Sequence, residues 1–280
     1  MEKVRVAAVA LNAKMGRVRE NLANILAWTD RAASDGARLV LFPEAMLSGY
    51  RLDLIEQSAL SLESPEIREV RAAATRRDVV VSFGLFERRP EGVYVTQLCV
   101  GRDVFLPYRK CHLTEDEKKC CRAGDRLEVQ DLGFVRMGTL ICYDTAFPRA
   151  SETLVRMGAE LLFAPTAHEY EWKEGEPRDR RLALRRRVRH VSKYWRARAY
   201  DYSTYAAYVD NAGEASRGEW FPGHIVVFGP DGEVVAQSAT GQEAMVVADL
   251  EGERLQRCRS EWVGHCRALA DSRPELYSNA

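Results

Sequence analysis

The sequence predicts one α/β domain built from a mixed β-sheet, or from two sheets, covered by helices. Apolar segments with strand and helix periodicity alternate along the chain, which is typical of sheets covered by helices. Some predicted strands also follow one another directly as hairpins, which indicates antiparallel pairing in the same fold. No Gly-, Ser- or Pro-rich linker and no internal repeat divides the 280 residues, so we expect residues 1–280 to form a single domain.

The first half of the chain begins with a strand and a helix. Val4–Leu11 is short, apolar and rich in valine, which is typical of a buried strand. Apolar residues then recur at helical spacing from Val18 to Leu26, and Gly36 is placed to cap that helix. The segments expected after it are the strand Leu39–Phe42, a helix over Pro65–Arg76, the strand Val79–Leu85, and a hairpin of Val93–Val100 and Val104–Tyr108. The polar segment 111–125 has no period and is predicted to be a loop.

The second half alternates again before it ends mainly in strands. The predicted order is the strand Val135–Cys142, the helix Pro148–Met157, the strand Leu161–Ala164, a long helix within Pro177–Ser203, and the strands Tyr205–Asp210, Ile225–Phe228, Val234–Gln237 and Ala244–Ala248. Pro230, Asp231 and Gly232 provide a turn between two of these strands. From Glu251 onward the chain is predicted to be helical and then irregular.

Composition argues against several classes of protein. Lys plus Arg and Asp plus Glu both number 41, so the formal net charge is zero and nothing in the totals indicates a nucleic-acid or membrane partner. Mean hydropathy is −0.33, and no apolar run is long enough to span a membrane. The N-terminal segment lacks the features of a signal peptide, so we expect a cytoplasmic protein whose seven cysteines are reduced. Those cysteines show no repeated zinc-site spacing, and we expect neither a metal nor another cofactor.

Three predicted strands end at polar side chains that can react. Open α/β folds bind ligands at the carboxyl ends of their strands, so these ends are the first place to look for a site. Glu44 follows Leu39–Phe42, Lys110 follows the second strand of the hairpin, and Cys142 ends Val135–Cys142. Together they supply the parts of acyl transfer: a thiol nucleophile, a carboxylate base, and an ammonium that stabilises an oxyanion.

Each of these three residues also has an ordinary explanation. A cysteine at the end of a strand is more often a small buried apolar residue. A glutamate after a proline is more often a helix cap or a solvated loop residue, and a lysine after an arginine is more often surface charge. Spacing by itself therefore leaves both catalysis and coincidence open.

The local sequences around the three residues resemble the signature blocks of the nitrilase superfamily, the carbon–nitrogen hydrolases. The blocks, in the family's order, are Leu41-Phe42-Pro43-Glu44, Tyr108-Arg109-Lys110-Cys111-His112-Leu113 and Ile141-Cys142-Tyr143-Asp144-Thr145-Ala146-Phe147-Pro148. Further likeness in segments 158–161, 164–167, 196–199, 230–234 and 273–277 extends the resemblance over nearly the whole chain.

The resemblance implies a fold, an assembly and residue roles. The implied fold is a four-layer αββα sandwich of two mixed β-sheets flanked by helices. The implied assembly is a homodimer or higher homo-oligomer, with the tail from about residue 251 packing on a partner subunit. Glu44 would be the general base and acid, Lys110 would hold the tetrahedral intermediate, and Cys142 would carry the acyl group.

Further site residues follow from the same resemblance. The family often has a second active-site glutamate in the loop after the lysine; Glu117 is our choice and Glu115 the alternative, and a solvated acidic loop explains either equally well. The backbone N–H of Tyr143 is implied as a second oxyanion donor. The residues expected at the substrate are Tyr143, Asp144, Thr166 and His168.

The residues after the cysteine indicate the branch of the family. Nitrilases typically have Trp-Glu there, whereas Tyr143-Asp144 is similar to the amidases and N-carbamoyl amide hydrolases. We therefore expect hydrolysis of a small carboxamide through a cysteine thioester, with release of ammonia or an amine. An N-carbamoyl amine amidohydrolase and a nitrilase remain alternatives, and a non-catalytic binding protein on the same fold is the alternative of another class.

A basic segment interrupts the pattern. Arg178–Arg198 contains nine arginines and one lysine in 21 residues. We interpret it as a long helix with a solvated face and interface salt bridges; attraction of an anionic substrate or a nucleic acid is the less favoured alternative. The insert that contains it is expected to form a lid or an extra interface. His168, Tyr170 and Trp172 at its start are expected either to line the mouth of a pocket or to pack on the surface.

Overall fold

The computed structural model describes residues 1–170, 178–214, 220–260, 269 and 271–276. In chain order the strands are β1 (Val4–Ala10), β2 (Leu39–Leu41), β3 (Val80–Arg89), β4 (Gly92–Val100), β5 (Phe105–Arg109), β6 (Val129–Asp131), β7 (Arg136–Thr139), β8 (Leu161–Thr166), β9 (Tyr205–Asp210), β10 (Ala212–Glu214), β11 (Trp220–Pro222), β12 (Ile225–Phe228), β13 (Val234–Ser238) and β14 (Ala244–Leu250). The helices are α1 (Val18–Ser34), α2 (Ile55–Ser58), α3 (Pro65–Arg77), α4 (Pro148–Arg156), α5 (Arg180–Asp201) and α6 (Gly252–Ser260).

The strands form two mixed six-stranded sheets and one small antiparallel pair, β10 with β11. The first sheet has the order β14-β1-β2-β3-β4-β5, and the second has the order β13-β12-β9-β8-β7-β6. Three neighbouring strands run parallel in each sheet: β1, β2 and β3 in the first, and β7, β8 and β9 in the second. All other neighbouring pairs in the two sheets are antiparallel. The two sheets therefore repeat the same arrangement.

Strand alternation explains why the sheets stack and the helices lie outside. In β1, Val6 and Ala8 face Phe163 and other residues of the second sheet. The intervening Ala7 and Val9 face the opposite way, toward α1 and α3. In the second sheet, the residues that alternate with Phe163 pack against α4 and α5. This arrangement confirms the predicted αββα sandwich, since each sheet buries one face against the other sheet and one against helices.

The main departures from the sequence prediction are short elements. β7 ends at Thr139, so Cys142 does not end a strand as predicted; it begins a 3₁₀ turn over Cys142–Ala146. The strands β6, β10 and β11 were not predicted, because three residues are too few to show a periodicity. The segment 111–125 is largely a loop, as predicted, with one 3₁₀ turn at Glu117–Lys119. Within the described part of the chain, no helix is long and apolar enough to cross a membrane.

Candidate active site

Glu44 is held by the chain that leaves β2. Phe42 still extends the sheet, since its N–H donates to Ser82 O over 2.8 Å, and the backbone then turns inward. Glu44 is 1% exposed, and its backbone carbonyl accepts a hydrogen bond from Asn211 Nδ2 at 2.9 Å. Gly84 of β3 permits this turn, because a Cβ there would lie 2.1 Å from Ala45 N. Glu44 is thereby held by contacts with both sheets.

Lys110, directly after β5, connects two buried carboxylates. Its Nζ donates to Glu44 Oε1 at 2.9 Å and to Glu117 Oε1 at 2.7 Å. The second oxygen of Glu44 accepts the Ala167 N–H at 2.8 Å. The three charged side chains are each at most 1% exposed. A buried ammonium between two carboxylates is held rigidly and shielded from water, so it can stabilise negative charge that develops on a bound group.

The structure brings Glu117, and not Glu115, to Lys110. Glu117 Oε1 also accepts the Tyr50 hydroxyl at 2.8 Å, and its Oε2 accepts the Thr114 N–H at 2.8 Å. Glu115 is exposed and pairs with Lys118 in the solvated part of the loop. Glu117 thus accepts three hydrogen bonds, from Lys110, Tyr50 and Thr114, and these bonds hold the lysine in place.

Cys142 begins a sharp turn beside this cluster. Its φ of 45° lies in the left-handed region, which a residue with a Cβ adopts only when surrounding contacts impose it. The following Tyr143 is in the first turn of the 3₁₀ segment, where N–H groups have no partner within the helix. Its N–H can therefore donate to a bound group, and its side chain is 44% exposed.

Asp144, predicted to contact substrate, is instead fully buried among protein donors. Its Oδ2 accepts the Ile141 N–H at 3.0 Å and the Tyr108 hydroxyl at 2.9 Å. Its Oδ1 accepts the His112 N–H at 2.8 Å and lies 2.8 Å from His112 Nδ1. These bonds join the cysteine turn to the segment that carries the lysine. We therefore propose that Asp144 positions the two catalytic segments rather than contacting the substrate.

Electrostatics keep the cluster in one protonation state. Burial raises the pKa of the Cys142 thiol, and the charge of Glu44 raises it further while Lys110 lowers it. Burial also raises the pKa of Glu44, against the opposing effect of Lys110. Burial alone would lower the pKa of Lys110, but the charge of Glu44, together with the charge and hydrogen bond of Glu117, raises the pKa above its usual value. The resting site therefore holds a neutral thiol next to a protonated lysine.

Two cavities meet at Cys142. One, of about 280 Å³, is lined by Cys142, Tyr143, Thr145, Ala146, Thr166, His168, His190, Tyr194 and Arg198. The other, of about 800 Å³, is lined by Tyr50, Thr114, Cys142, Ala167, His168, Glu169, Tyr170, Arg186, Arg187 and His190. The predicted substrate residues Thr166 and His168 thus line the cleft, and Tyr170 lines the larger cavity, which is the first of its two alternatives. Trp172 lies outside the described residues.

His168 is fixed by a buried arginine that the sequence did not single out. Arg187 Nη1 lies 2.8 Å from His168 Nδ1, and its Nη2 donates to His168 O at 3.2 Å. Because a guanidinium only donates, Nδ1 must accept, which leaves the ring proton on Nε2. Desolvation in the cleft and the charge of Arg187 lower the pKa of His168 to about 3. His168 is therefore a neutral hydrogen-bond donor in the wall of both cavities.

Asp210 contacts His168 beside Arg187, and its titration should make the free energy of unfolding depend on pH. It accepts the His168 N–H at 3.1 Å, and burial raises its pKa from 3.8 to about 7, with Arg187 opposing the shift. The folded state thus retains a proton that the unfolded state loses, so stability falls as pH rises from about 4 to about 7. Relative to Asp210→Asn, the wild type should lose up to about 4 kcal/mol over that range in urea unfolding. Parallel stability curves for the two proteins would contradict this assignment.

Several residues that build the site carry no signal in the sequence. Tyr50, Arg187 and the adjacent pair Asp210 and Asn211 reach it from three separate segments, and their roles depend on contacts between distant parts of the chain. Asn211 and Asp210 could have been suspected only because they follow a buried strand at its carboxyl end. The described residues contain no group of three or more His, Cys, Asp or Glu side chains arranged to hold a metal ion.

Comparison with known proteins gives consistent matches. Residues 5–260 match the family model for carbon-nitrogen hydrolases. The chain is similar to a protein described as a hydrolase in the pqqF 5′ region of Pseudomonas protegens, with 31% identity over 87% of this chain and 80% of that protein. It is also similar to a nitrilase of Pyrococcus abyssi, with 28% identity over 98% of each chain. A solved structure of a mutant amidase from Nesterenkonia sp. AN1 in complex with butyramide is 25% identical, with a TM-score of 0.79 over 99% of this chain and 96% of that chain.

Proposed function

We infer the reaction from one premise: the chain belongs to the carbon–nitrogen hydrolase family, within the nitrilase superfamily, and is an amide-hydrolysing enzyme. We propose that it hydrolyses a small carboxamide through a thioester on Cys142. The observation that carries this proposal is the pair of short bonds from Lys110 to Glu44 and Glu117, beside a cysteine on a left-handed turn. These contacts support a base and a cation acting beside the nucleophile, which lines both cavities.

In the first step the thiol attacks the amide carbonyl. Glu44 takes the proton from Cys142 Sγ as the Sγ–C bond forms, and the carbonyl oxygen becomes an oxyanion. The Lys110 ammonium and the Tyr143 N–H stabilise that oxyanion. When the intermediate collapses, the C–N bond breaks and Glu44 returns the proton to the departing nitrogen. Ammonia or an amine leaves, and the acyl group remains on sulfur.

In the second step water releases the acid. Glu44, again ionised, takes a proton from water as the water oxygen forms a bond to the thioester carbon. The same donors hold the second oxyanion. Collapse then breaks the C–S bond, and the sulfur regains the proton from Glu44. Burial raises the pKa of Glu44, which makes this carboxylate a better base than a solvated one.

Glu117 and Lys110 maintain the charge and the geometry that proton transfer by Glu44 requires. If Lys110 lost its proton, two buried carboxylates would face each other without a cation between them. The raised pKa of Lys110 prevents that loss at neutral pH. Glu117, held by Tyr50 and Thr114, fixes the position of Lys110 while Glu44 exchanges its proton.

Two observations favour an amide over the alternatives. Tyr143-Asp144 stands where nitrilases have Trp-Glu, and the similar Nesterenkonia protein is an amidase solved with butyramide. An N-carbamoyl amine amidohydrolase and a nitrilase remain candidate activities of the same residues. A non-catalytic binding protein is disfavoured, because the family consists of hydrolases.

Ammonia release from a substrate panel tests this proposal. The panel contains butyramide, N-carbamoyl-β-alanine and butyronitrile, with the Cys142→Ala protein as the background. We expect butyramide to be hydrolysed with a kcat/KM at least roughly tenfold above that of the nitrile. Reaction with the nitrile alone would contradict the amide assignment, and reaction with the carbamoyl compound alone would move it to the other branch.

The domain organisation, the assembly and the cellular location of the protein are also proposals. We propose that residues 1–280 act as one domain, and that the protein is a homodimer or higher homo-oligomer in which the tail from about residue 251 packs on a partner subunit. We also propose that it works in the cytoplasm, without nucleic-acid partners, metals or other cofactors.

A further inference from the structure

One face of α5 forms a wall of the smaller cavity at Cys142. His190, Tyr194 and Arg198 follow each other at four-residue spacing, which places their side chains on one side of the helix. All three line the cavity, together with Thr145 from the 3₁₀ turn and Thr166 at the end of β8. The most basic segment of the chain therefore contributes to the substrate cleft and is not only a solvated surface.

Arg198 has no partner for its charge among the described residues. Its Nε is buried and makes no hydrogen bond, and no ion pair joins its guanidinium to a carboxylate. Other arginines of the same helix do have partners: Arg180 pairs with Glu214, and Arg196 with Glu233. The side chain of Arg198 is half-buried, and its Nε is the atom that is fully buried. A buried donor without a partner is costly unless something binds to it. This arginine therefore indicates a site for an anion.

The rest of the cavity contains no competing anion. None of the nine described lining residues is acidic. Burial raises the pKa of the Tyr194 phenol to about 12, and desolvation lowers the pKa of His190, so both are neutral near pH 7. Tyr194 can donate a hydrogen bond, and Arg198 supplies the positive charge. The combination matches a carboxylate, which accepts hydrogen bonds at two oxygens from a planar guanidinium.

The larger cavity does not offer an equivalent site. Its two arginines are already engaged, since Arg186 donates to the Tyr170 hydroxyl at 2.6 Å and Arg187 is bound to His168. It is also lined by Glu169, which would repel an anion. The charge available to a substrate therefore lies on the Arg198 side of Cys142.

We propose that the acyl part of the substrate ends in a carboxylate bound by Arg198, so that the substrate is the monoamide of a short dicarboxylic acid. The carboxylate lies in the smaller cavity with its amide carbon at Cys142, and the leaving nitrogen points toward the larger cavity. This inference rests on the proposed amide hydrolysis at Cys142. The products are a dicarboxylate and ammonia, so a preceding reaction must supply a substrate that already carries one free carboxylate.

Binding to the Cys142→Ala protein tests the site without turnover. The probes are three matched pairs, each a charged monoamide and its neutral diamide: malonamate with malonamide, succinamate with succinamide, and glutaramate with glutaramide. Calorimetry measures the ratio of the two Kd values within each pair. We expect at least one monoamide to bind roughly 10- to 100-fold more tightly than its diamide, as for a charge-assisted bidentate pair.

Substitutions on α5 show whether Arg198 causes the preference. Adding Arg198→Gln to the Cys142→Ala protein should bring the ratio close to one, and Arg198→Lys should retain part of it. Arg189→Gln removes a positive charge from the exposed side of the same helix and should keep the full ratio. Equal loss in the Arg189 variant would attribute the preference to general attraction by the basic helix.

The outcomes separate this inference from the proposed function. A ratio near one for all three pairs, or a ratio that Arg198→Gln leaves unchanged, would overturn the carboxylate site even if the wild type hydrolyses neutral amides. A clear preference that depends on Arg198 would support the site even if the panel showed a different scissile bond. If Arg198→Gln fails to fold, Arg198→Lys supplies the comparison, and an unchanged ratio in that variant together with an equal loss in Arg189→Gln would overturn the site.

Discussion

Replacement of Cys142 by alanine is expected to lower kcat for amide hydrolysis by at least about 10⁴-fold. Among the described residues that line the two cavities, Cys142 is the only thiol, so the variant loses the proposed thioester route. The fold should persist, because alanine fills most of the space of a thiol. The measurement is ammonia release from the best amide of the panel, with unfolding followed in parallel.

A second cysteine provides the control for this variant. Cys258 lies on α6, is buried, and has no part in the proposed chemistry. Cys258→Ala should therefore keep turnover close to that of the wild type. If Cys142→Ala retained more than about a tenth of wild-type turnover, the nucleophile would have to be assigned elsewhere.

Replacement of Lys110 by methionine is expected to damage both activity and stability. Methionine leaves Glu44 and Glu117, which are 1% and 0% exposed, without the ammonium that joins them. Breaking a buried charge arrangement by removing one partner typically costs about 3–5 kcal/mol. Loss of an oxyanion donor should lower kcat by a further factor of about 10²–10³. Urea unfolding and ammonia release measure the two effects.

The pH dependence of this variant separates electrostatics from packing. Without Lys110 the pKa of Glu44 should rise further, so that at low pH one carboxyl becomes protonated and the penalty shrinks. The stability of Lys110→Met relative to wild type should therefore recover as pH falls. Lys118→Met, in the same loop, breaks only an exposed pair with Glu115 and should change stability by less than about 1 kcal/mol. A similar effect of the two substitutions would contradict the proposed role of Lys110.

Local patterns predicted most strands and the three candidate residues near strand ends, whereas the four layers and the roles of Glu44, Lys110 and Cys142 were implied by the resemblance to the nitrilase superfamily. Glu44 and Lys110 directly follow short apolar strands, and strand ends can be recognised from local patterns. Cys142 was placed on the end of a strand, whereas the chain leaves β7 at Thr139 and reaches the cysteine through a left-handed turn. A positive φ at a residue other than glycine is imposed by tertiary contacts, and local sequence does not encode it.

The walls of the cleft were less predictable than its centre. Asp144 was expected at the substrate, but its oxygens are taken up by Ile141, Tyr108 and His112, which only the folded chain brings together. The basic segment was interpreted as a solvated helix with salt bridges. Part of α5 fits that interpretation, but buried positions such as Arg187 and the cavity-lining Arg198 alternate with exposed ones at helical spacing. The number of arginines gave no sign of which of them face the cleft.

The central claim is a thioester on Cys142, and partitioning of that intermediate tests it most directly. Hydroxylamine competes with water for an acyl–enzyme, so product ratios report whether two substrates share one intermediate. With butyramide and methyl butyrate at the same hydroxylamine concentration, we expect the same ratio of butyrohydroxamate to butyrate, and neither enzymatic product from Cys142→Ala. Ratios that differ between the two substrates, or butyramide hydrolysis without any hydroxamate, would contradict a shared thioester on Cys142.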